Sequence, residues 1–333
     1  MVAVGLMGAG RIARVHSAVL RSGVVEGIRL AAVCDVEEER AQKLATAGIP
    51  AFDGLSTMVS NCPDIDAVAV LTESGYHAEH ALQVLELGRH AIVEKPVDLT
   101  NAGVDALAAR ERADARVAVV HQNRFNTAVV ALAGALAQGA LGNVVTVAAH
   151  VAWGRSEEYY RSGSWRGTRK LDGGALANQG VHHLDILLRL FGPVAGLHAL
   201  ARRRRHAIEC EDTISVLLDF ADGAQGVLQV TTATDRDYEG SLTVTGTRGF
   251  VRLAGECLNR VDRWEAAVPP PTPDPDPSYS ALGIPSLYGY GHVAFYRDFV
   301  NCVRTSAPFA CTLAEARETV RLLNSIYDSC RVA

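Results

Sequence analysis

No two cysteines of this sequence stand in a C-x-x-C spacing. The seven that occur, at positions 34, 62, 210, 257, 302, 311 and 330, are scattered and odd in number. That pattern argues against a disulfide framework and against a structural zinc site. Long apolar runs are missing as well. None approaches the ~18 residues of a membrane-spanning helix. The chain opens on an apolar strand at Val2, with no charged leader and no cleavage site. A cytoplasmic enzyme with no membrane partner is the expectation. Nor is there an excess of one charge: 32 Lys and Arg face 37 Asp and Glu, for a net of −5. Nucleic acid therefore has no electrostatic footprint here. The run Arg202 to Arg205 reads as a solvated strand end, with contact to a substrate phosphate a less remote role for it than nucleic acid. There is no internal repeat. What remains is an ordinary globular composition, 48% hydrophobic and 21% charged, at a length of 333 residues that predicts two domains.

The first of these domains begins with a motif in its required context. Val2 to Met7 reads as a buried strand. It runs into Gly8-Ala9-Gly10-Arg11-Ile12-Ala13 and then a helical pattern to about Arg21. This is G-x-G-x-x-A between strand and helix. Gly8 allows the tight turn, Gly10 lets a pyrophosphate reach the backbone, and Ala13 lets helix and strand pack. Phosphates then sit on the free N–H groups of the helix. A second strand, Ile28 to Val33, leads to Asp35, 22 residues beyond Ala13. A carboxylate at that spacing bonds ribose hydroxyls and repels a 2′-phosphate, and no arginine immediately follows, so NAD is expected in preference to NADP. Further alternation follows: helix Glu37 to Ala47, strand Asp66 to Thr72, helix Tyr76 to Leu87, strand His90 to Glu94, helix Asn101 to Ala113, strand Arg116 to Gln122. Strands alternating with helices predict a parallel, doubly wound Rossmann sheet, with its ligand at the strands' carboxyl ends. Gly8, Asp35, Thr72, Glu94, Lys95 and Gln122 all fall there.

After a helix over Asn126 to Ala140 and a strand over Val144 to Trp153, the pattern changes. Glu157 to Lys170 is a polar loop rich in aromatics and arginine, with Tyr160, Trp165 and Arg166 suited to a sugar ring and an anionic group. Leu171 to Gly192 starts with two glycines and ends on Gly192-Pro193. Read as one helix over 175–191, it places Asn178, His182 and Asp185 at i, i+4 and i+7, on one face. Strands are then predicted at Leu197 to Arg203, Asp212 to Phe220, Ala224 to Ala233, Gly240 to Thr245, Phe250 to Ala254 and Leu258 to Trp264. A proline-rich loop, 268–285, reads as an extended lid, arm or plain excursion. Two helices close the chain, Gly289 to Thr305 and Leu313 to Cys330, the second behind a Thr312-x-x-Glu315 capping box. The expected domains are 1–122, binding NAD, and 123–333, an α+β substrate domain whose last helix returns to the first. Its open, mostly antiparallel sheet is covered by the 175–191 helix on one face and free on the other for another subunit.

Three motifs together carry a resemblance. Gly8-x-Gly10-x-x-Ala13, Glu94-Lys95-Pro96, and Gly173-Gly174-x-Leu176 followed by Gly180-x-His182-x-x-Asp185 resemble the glucose–fructose oxidoreductase, inositol dehydrogenase and rhizopine catabolism (Gfo/Idh/MocA) family across essentially the whole chain. The resemblance implies hydride transfer between NAD and a sugar or cyclitol carbinol. It also implies a homodimer or homotetramer built through the C-terminal sheet. Asn178 stands where the inositol branch has aspartate. With Trp165-Arg166-Gly167-Thr168 and His121-Gln122-Asn123-Arg124-Phe125, the chain resembles a sub-branch that includes UDP-N-acetylglucosaminuronate 3-dehydrogenases and amino-sugar dehydrogenases, which act on a ring 3-hydroxyl.

The expected roles follow. His182 is the general base, since neutral imidazole is available near pH 7. Lys95 holds the reacting oxygen, and Asn178 orients. The expected cofactor contacts are Gly8, Gly10, Arg11, Ile12 and Ala13; Asp35; Thr72, Ser74 and His77; and Glu94, Lys95 and Gln122. The expected substrate contacts are Asn123, Arg124, Tyr160, Trp165, Arg166, Asn178, His182 and His183. No metal is expected, because adjacent histidines on a helix point about 100° apart. Two other readings stay open: an inositol or cyclitol dehydrogenase, and a dinucleotide-binding sensor without turnover.

Overall fold

The structure is a computed structural model that describes all residues except 47, 273–281, 285–287, 290 and 331–333. The centre of the proline-rich loop lies outside the described residues. The chain forms two compact units. One gathers Met1–His121 and His292–Arg317. The other begins at Gln122 and resumes from Glu318.

In the first unit six parallel strands run in the order β3-β2-β1-β4-β5-β6. They are β1 (Val2–Met7), β2 (Ile28–Cys34), β3 (Ala51–Phe52), β4 (Ala67–Val70), β5 (His90–Val93) and β6 (Val117–Val119). Their crossovers are helices α1 (Arg11–Arg21), α2 (Glu38–Leu44), α3 (Leu55–Asn61), α4 (His77–Glu86) and α5 (Asn101–Arg110). Helices on both faces bury the strands twice over, so β1, β4 and β5 are near-continuous apolar runs. Strand β3 and helix α3 have no counterpart in the sequence reading, because two strand residues and seven helical ones are too short for a period to show. The order reverses between β1 and β4, the switch point at which such sheets bind ligands.

The piece that returns to this unit is α9 (Gly291–Thr305), from His292 on, with the residues up to Arg317, which include the first residues of the last helix, Leu313–Cys330. Phe295, Tyr296 and Phe299 of α9 are buried. Arg116 donates to the carbonyls of Cys302 and Ala307, both at 2.6 Å. The Val119 N–H reaches Cys311 O at 3.2 Å. These bonds join residues nearly two hundred positions apart, Arg116 to Cys302 and Ala307 and Val119 to Cys311.

In the second unit seven strands run β13-β12-β11-β7-β10-β9-β8: β7 (Val144–Ala152), β8 (Val194–Arg202), β9 (Thr213–Phe220), β10 (Gln225–Thr231), β11 (Ser241–Gly246), β12 (Phe250–Ala254) and β13 (Arg260–Glu265). All neighbours are antiparallel except β10 and β7. The period-2 alternation of β9 buries Ile214, Val216, Leu218 and Phe220. Against that face packs α8 (Val181–Phe191), with the Phe191 ring 5.7 Å from Phe220. Helices α6 (Thr127–Ala137), α7 (Glu157–Arg161) and α10 (Leu313–Cys330) complete the helices described. The capping box of α10 is reciprocal: Thr312 Oγ1 accepts from Glu315 N at 3.2 Å and Glu315 Oε2 from Thr312 N at 3.1 Å. Backbone N–H groups of Arg204, Arg205 and His206 donate to Asp212, and the four arginine side chains are exposed. Among the described residues, no helix is long and apolar enough to cross a membrane.

Candidate active-site residues

The first unit presents a dinucleotide cradle. Gly8 has φ +97, and a Cβ there would lie 2.9 Å from the Leu71 carbonyl, so only glycine fits. Above Gly10 a Cβ would meet nothing within 4 Å, which leaves room for a phosphate against the backbone. Gly10 caps α1 without a side-chain bond, so the first-turn N–H groups of Arg11 and Ile12 are not taken by a cap side chain. Ala13 is fully buried, as helix–strand packing demands. Asp35 is tied to the same loop: its Oδ2 accepts Ala9 N–H at 2.7 Å, and its Oδ1 accepts Glu37 N–H at 2.9 Å. These groups fit NAD.

Not every predicted contact is used alike. Thr72 Oγ1 pairs with His80 Nδ1 at 2.8 Å. Ser74 is buried in the short 3₁₀ turn Ser74–Tyr76. His77 spends both ring nitrogens on the scaffold, at 2.7 Å from Pro96 O and 3.0 Å from Thr72 O. Glu94 is buried, and its Oε2 accepts the Lys95 N–H at 3.1 Å. Gln122 falls in the second unit, with its Nε2 3.5 Å from Tyr288 O.

In the second unit the 175–191 segment is not one α-helix. Residues Leu176–Gly180 form a π turn, and α8 proper starts at Val181. The i→i+5 turn adds a residue, so the expected i, i+4, i+7 face is broken. Asn178 donates to Asp172, whose other oxygen accepts Gly167 N–H at 2.6 Å. Asp185 instead binds Arg124 through two bonds, of 2.7 and 2.6 Å, both side chains being buried. Arg124, expected at the substrate, therefore locks the turn Gln122–Phe125 to α8. Glu211 shapes the π turn from a distant strand. It accepts Leu176 N–H and Tyr327 O–H, each at 3.0 Å. The Ala177 N–H reaches Tyr327 at 3.3 Å. A Cβ on Gly174 would lie 2.0 Å from Glu211 Oε2, which explains the second glycine of the pair.

Burial pushes Glu211 up to about 7, against the opposing bonds from Leu176 and Tyr327. The raised value means that the folded state holds this proton where the unfolded chain has lost it. Stability is therefore full below the ordinary carboxylate range and falls as pH rises to about 7, by on the order of 3 kcal/mol. Glu211→Gln is expected to raise the melting temperature near about pH 8–9 and to lose that advantage near about pH 5. Equal melting curves for the two proteins at both pH values would remove the assignment.

His182 is 7% exposed, with its ring edge-on to Trp153 at 6.3 Å. His183 is enclosed, and burial, aided by His150, pushes it down to about 4, so it is neutral. Asn123 is buried behind Gly289. Tyr160 bonds Thr232 at 2.9 Å, and burial raises its hydroxyl to about 12. Arg166 stacks on Tyr159 and Trp165, at 4.1 and 4.4 Å from their ring centres. A hollow lined by Tyr159, Tyr160, Asp172, Asn178 and Gln179 joins the loop to the π turn. Asp172, Glu211, Tyr327 and Asn126 (which donates to Cys257 O at 2.7 Å) went unread in the sequence. Only Asp172, beside the glycine pair, carried a local signal.

A glycine cradle at the end of β1 and a parallel sheet whose order reverses between β1 and β4 are the frame of an NAD-dependent oxidoreductase. Comparison with known proteins gives the family. Residues 2–122 match the model of an oxidoreductase family with an NAD-binding Rossmann fold, and residues 129–252 match the GFO/IDH/MocA C-terminal domain. The chain belongs to the Gfo/Idh/MocA family. It is similar to the WlbA dehydrogenase from Bordetella pertussis, solved with NADH and UDP-GlcNAcA: 34% identity, TM-score 0.87, over 99% of this chain and 96% of that one. It is 28% identical to D-apiose dehydrogenase of Paraburkholderia graminis, over 98% of this chain and 87% of the relative. It is 30% identical to inositol 2-dehydrogenase of Acidothermus cellulolyticus, over 77% and 73%.

Proposed function

We propose that the protein oxidises a ring hydroxyl, at C3, of a nucleotide sugar or amino sugar, or reduces the corresponding ketone. The observation that carries this is the 34% identity, along 99% of the chain, to a dehydrogenase crystallised with NADH and UDP-GlcNAcA. NAD, when bound, supplies the hydride acceptor. His182 takes the hydroxyl proton. Lys95, on the unit that binds NAD, stabilises the charge that develops on the oxygen. Asn178, held by Asp172, orients the ring. Arg166 and Tyr160 serve the anionic and sugar faces of the substrate.

The test is NAD reduction, followed by absorbance, with UDP-GlcNAcA, other UDP-amino sugars, free amino sugars and inositols. Turnover with UDP-amino sugars supports the reading. Turnover confined to inositols would move the protein to the cyclitol branch. NAD binding without turnover on any of them favours a sensor.

The uncovered face of the second sheet supports a homodimer or homotetramer. Leu200 and Leu217 on it are 51% and 61% exposed. Light scattering is expected to give at least twice the chain mass, and a monomer at micromolar concentration would overturn this.

A further inference from the structure

We propose that His16 and His77 are positioning residues for Lys95: two buried imidazoles grip the residues on either side of it, Glu94 and Pro96, and so fix where its side chain begins. The proposal rests on the reading of Lys95 as the group that serves the reacting oxygen.

Strand β5 ends at Val93, and the last bond of its ladder is Glu94 N–H to Val70 O, at 3.1 Å. Beyond it the chain leaves the sheet, and something else must hold it. Upstream of Lys95, the holder is a chain of three side chains from three elements. Glu94 Oε1 accepts from His16 Nε2 of α1 at 3.0 Å. His16 Nδ1 meets the Tyr296 hydroxyl of α9 at 2.6 Å. Glu94 Oε2 closes on the Lys95 N–H. His16 and Tyr296 are fully buried, so no water competes for these bonds. Burial alone would raise the Glu94 carboxyl, yet the His16 bond and the nearby Lys95 hold it at about 2. A fixed anion thus lies one residue from the Lys95 ammonium. Burial and that anion keep the Tyr296 hydroxyl protonated.

Downstream, Pro96 has no N–H to donate, and its carbonyl is the handle. His77 Nδ1 lies 2.7 Å from it, while Nε2 lies 3.0 Å from Thr72 O, in the segment that follows β4. Both partners are acceptors. Burial pushes the His77 pKa down, so the neutral ring donates over the shorter contact, to Pro96. The single N–H of the neutral ring thereby ties α4 to Pro96, while Thr72 O faces the unprotonated Nε2. Ligand atoms of His16, Glu94 and His292 also lie within 4.8 Å of one another. A cation there would have to displace the His16–Glu94 bond, and the cluster is better used as a frame.

The test reads Lys95 directly. The sequence has three lysines, at 43, 95 and 170, so reductive ¹³C-methylation of the full chain gives few signals, and the one lost in Lys95→Met is assigned. His16→Asn, which cannot reach Glu94, and His77→Leu, which cannot hold Pro96, are expected to move the position and pH midpoint of the Lys95 signal. His16→Gln, whose amide nitrogen replaces Nε2, keeps both near wild type, and Tyr296→Phe gives an intermediate change. In NAD reduction with UDP-GlcNAcA, kcat falls roughly tenfold or more in His16→Asn and His77→Leu, with KM and calorimetric NAD affinity little changed. Lys95 signals and kcat unchanged in both variants overturn the frame while leaving Lys95 its role. Turnover unchanged in Lys95→Met overturns the catalytic reading itself, and the frame loses its purpose with it.

Discussion

Replacing His182 by asparagine is expected to lower kcat by roughly 10²–10⁴-fold, the range for losing a positioned general base. Lys95→Met is expected to cost roughly 10²–10³-fold, the range for losing a donor at a developing oxyanion. NAD affinity should be kept in both. The groups expected to hold the dinucleotide, Gly8, Gly10 and the Ala9–Asp35 link, follow strands β1 and β2, and neither substitution touches them. His182 sits in the first turn of α8 with its ring edge-on to Trp153, so asparagine removes the base without leaving a large hole. The double variant should be far less than multiplicatively worse, because groups that serve one step fail together. The checks are steady-state kinetics beside calorimetric NAD titration. Wild-type kcat in His182→Asn would sink the assignment of the base, and loss of NAD binding would show that the variant had disturbed more than the chemistry.

Removing either member of the Arg124–Asp185 pair is expected to destabilise the protein by about 3–5 kcal/mol. The geometry is bidentate, at 2.7 and 2.6 Å, with side chains only 5% and 1% exposed. Thr319 Oγ1 adds a contact to Asp185 at 3.4 Å. Taking away one partner leaves the other as a buried, uncompensated charge, which is the costly case. Arg124→Met and Asp185→Leu alone should each lower the melting temperature by about 10 °C. Combined, they should recover most of that loss, since an apolar pair of similar volume avoids the desolvation penalty. Additive loss in the double variant would mean that the pair is not coupled. The outcome also bears on the motif: Asp185 would belong to it because it holds α8 to the Gln122–Phe125 turn, and not because it meets substrate.

Much of the first unit was legible because its signals are local. G-x-G-x-x-A stands between a strand and a helix, and Asp35 follows at the right distance. Each strand is apolar along its length because it is covered on both faces. The second unit was legible as a run of short antiparallel strands, but not as a site. Asn178, His182 and Asp185 carry helical spacing, and spacing alone puts them on one face. Glu211 and Tyr327 take the N–H groups of Leu176 and Ala177 at the start of a π turn, which breaks the helical spacing between Asn178 and the two residues of α8. Nothing near Leu176 in the sequence announces a partner 35 residues away, or one 150 residues from Ala177.

By itself, then, the amino-acid sequence determined the two-part architecture, the NAD cradle and the family, because glycine spacing, strand alternation and a carboxylate at a set interval act over short stretches of chain. Only the tertiary structure decided which polar residues serve as scaffold. Arg124 belongs to Asp185, His77 to Pro96 and Thr72, and His16 to Glu94 and to Tyr296, 280 residues away. The reason is physical. A buried charge or imidazole must be satisfied by whatever the fold brings within about 3 Å, and that partner is chosen by packing in space and not by distance along the chain.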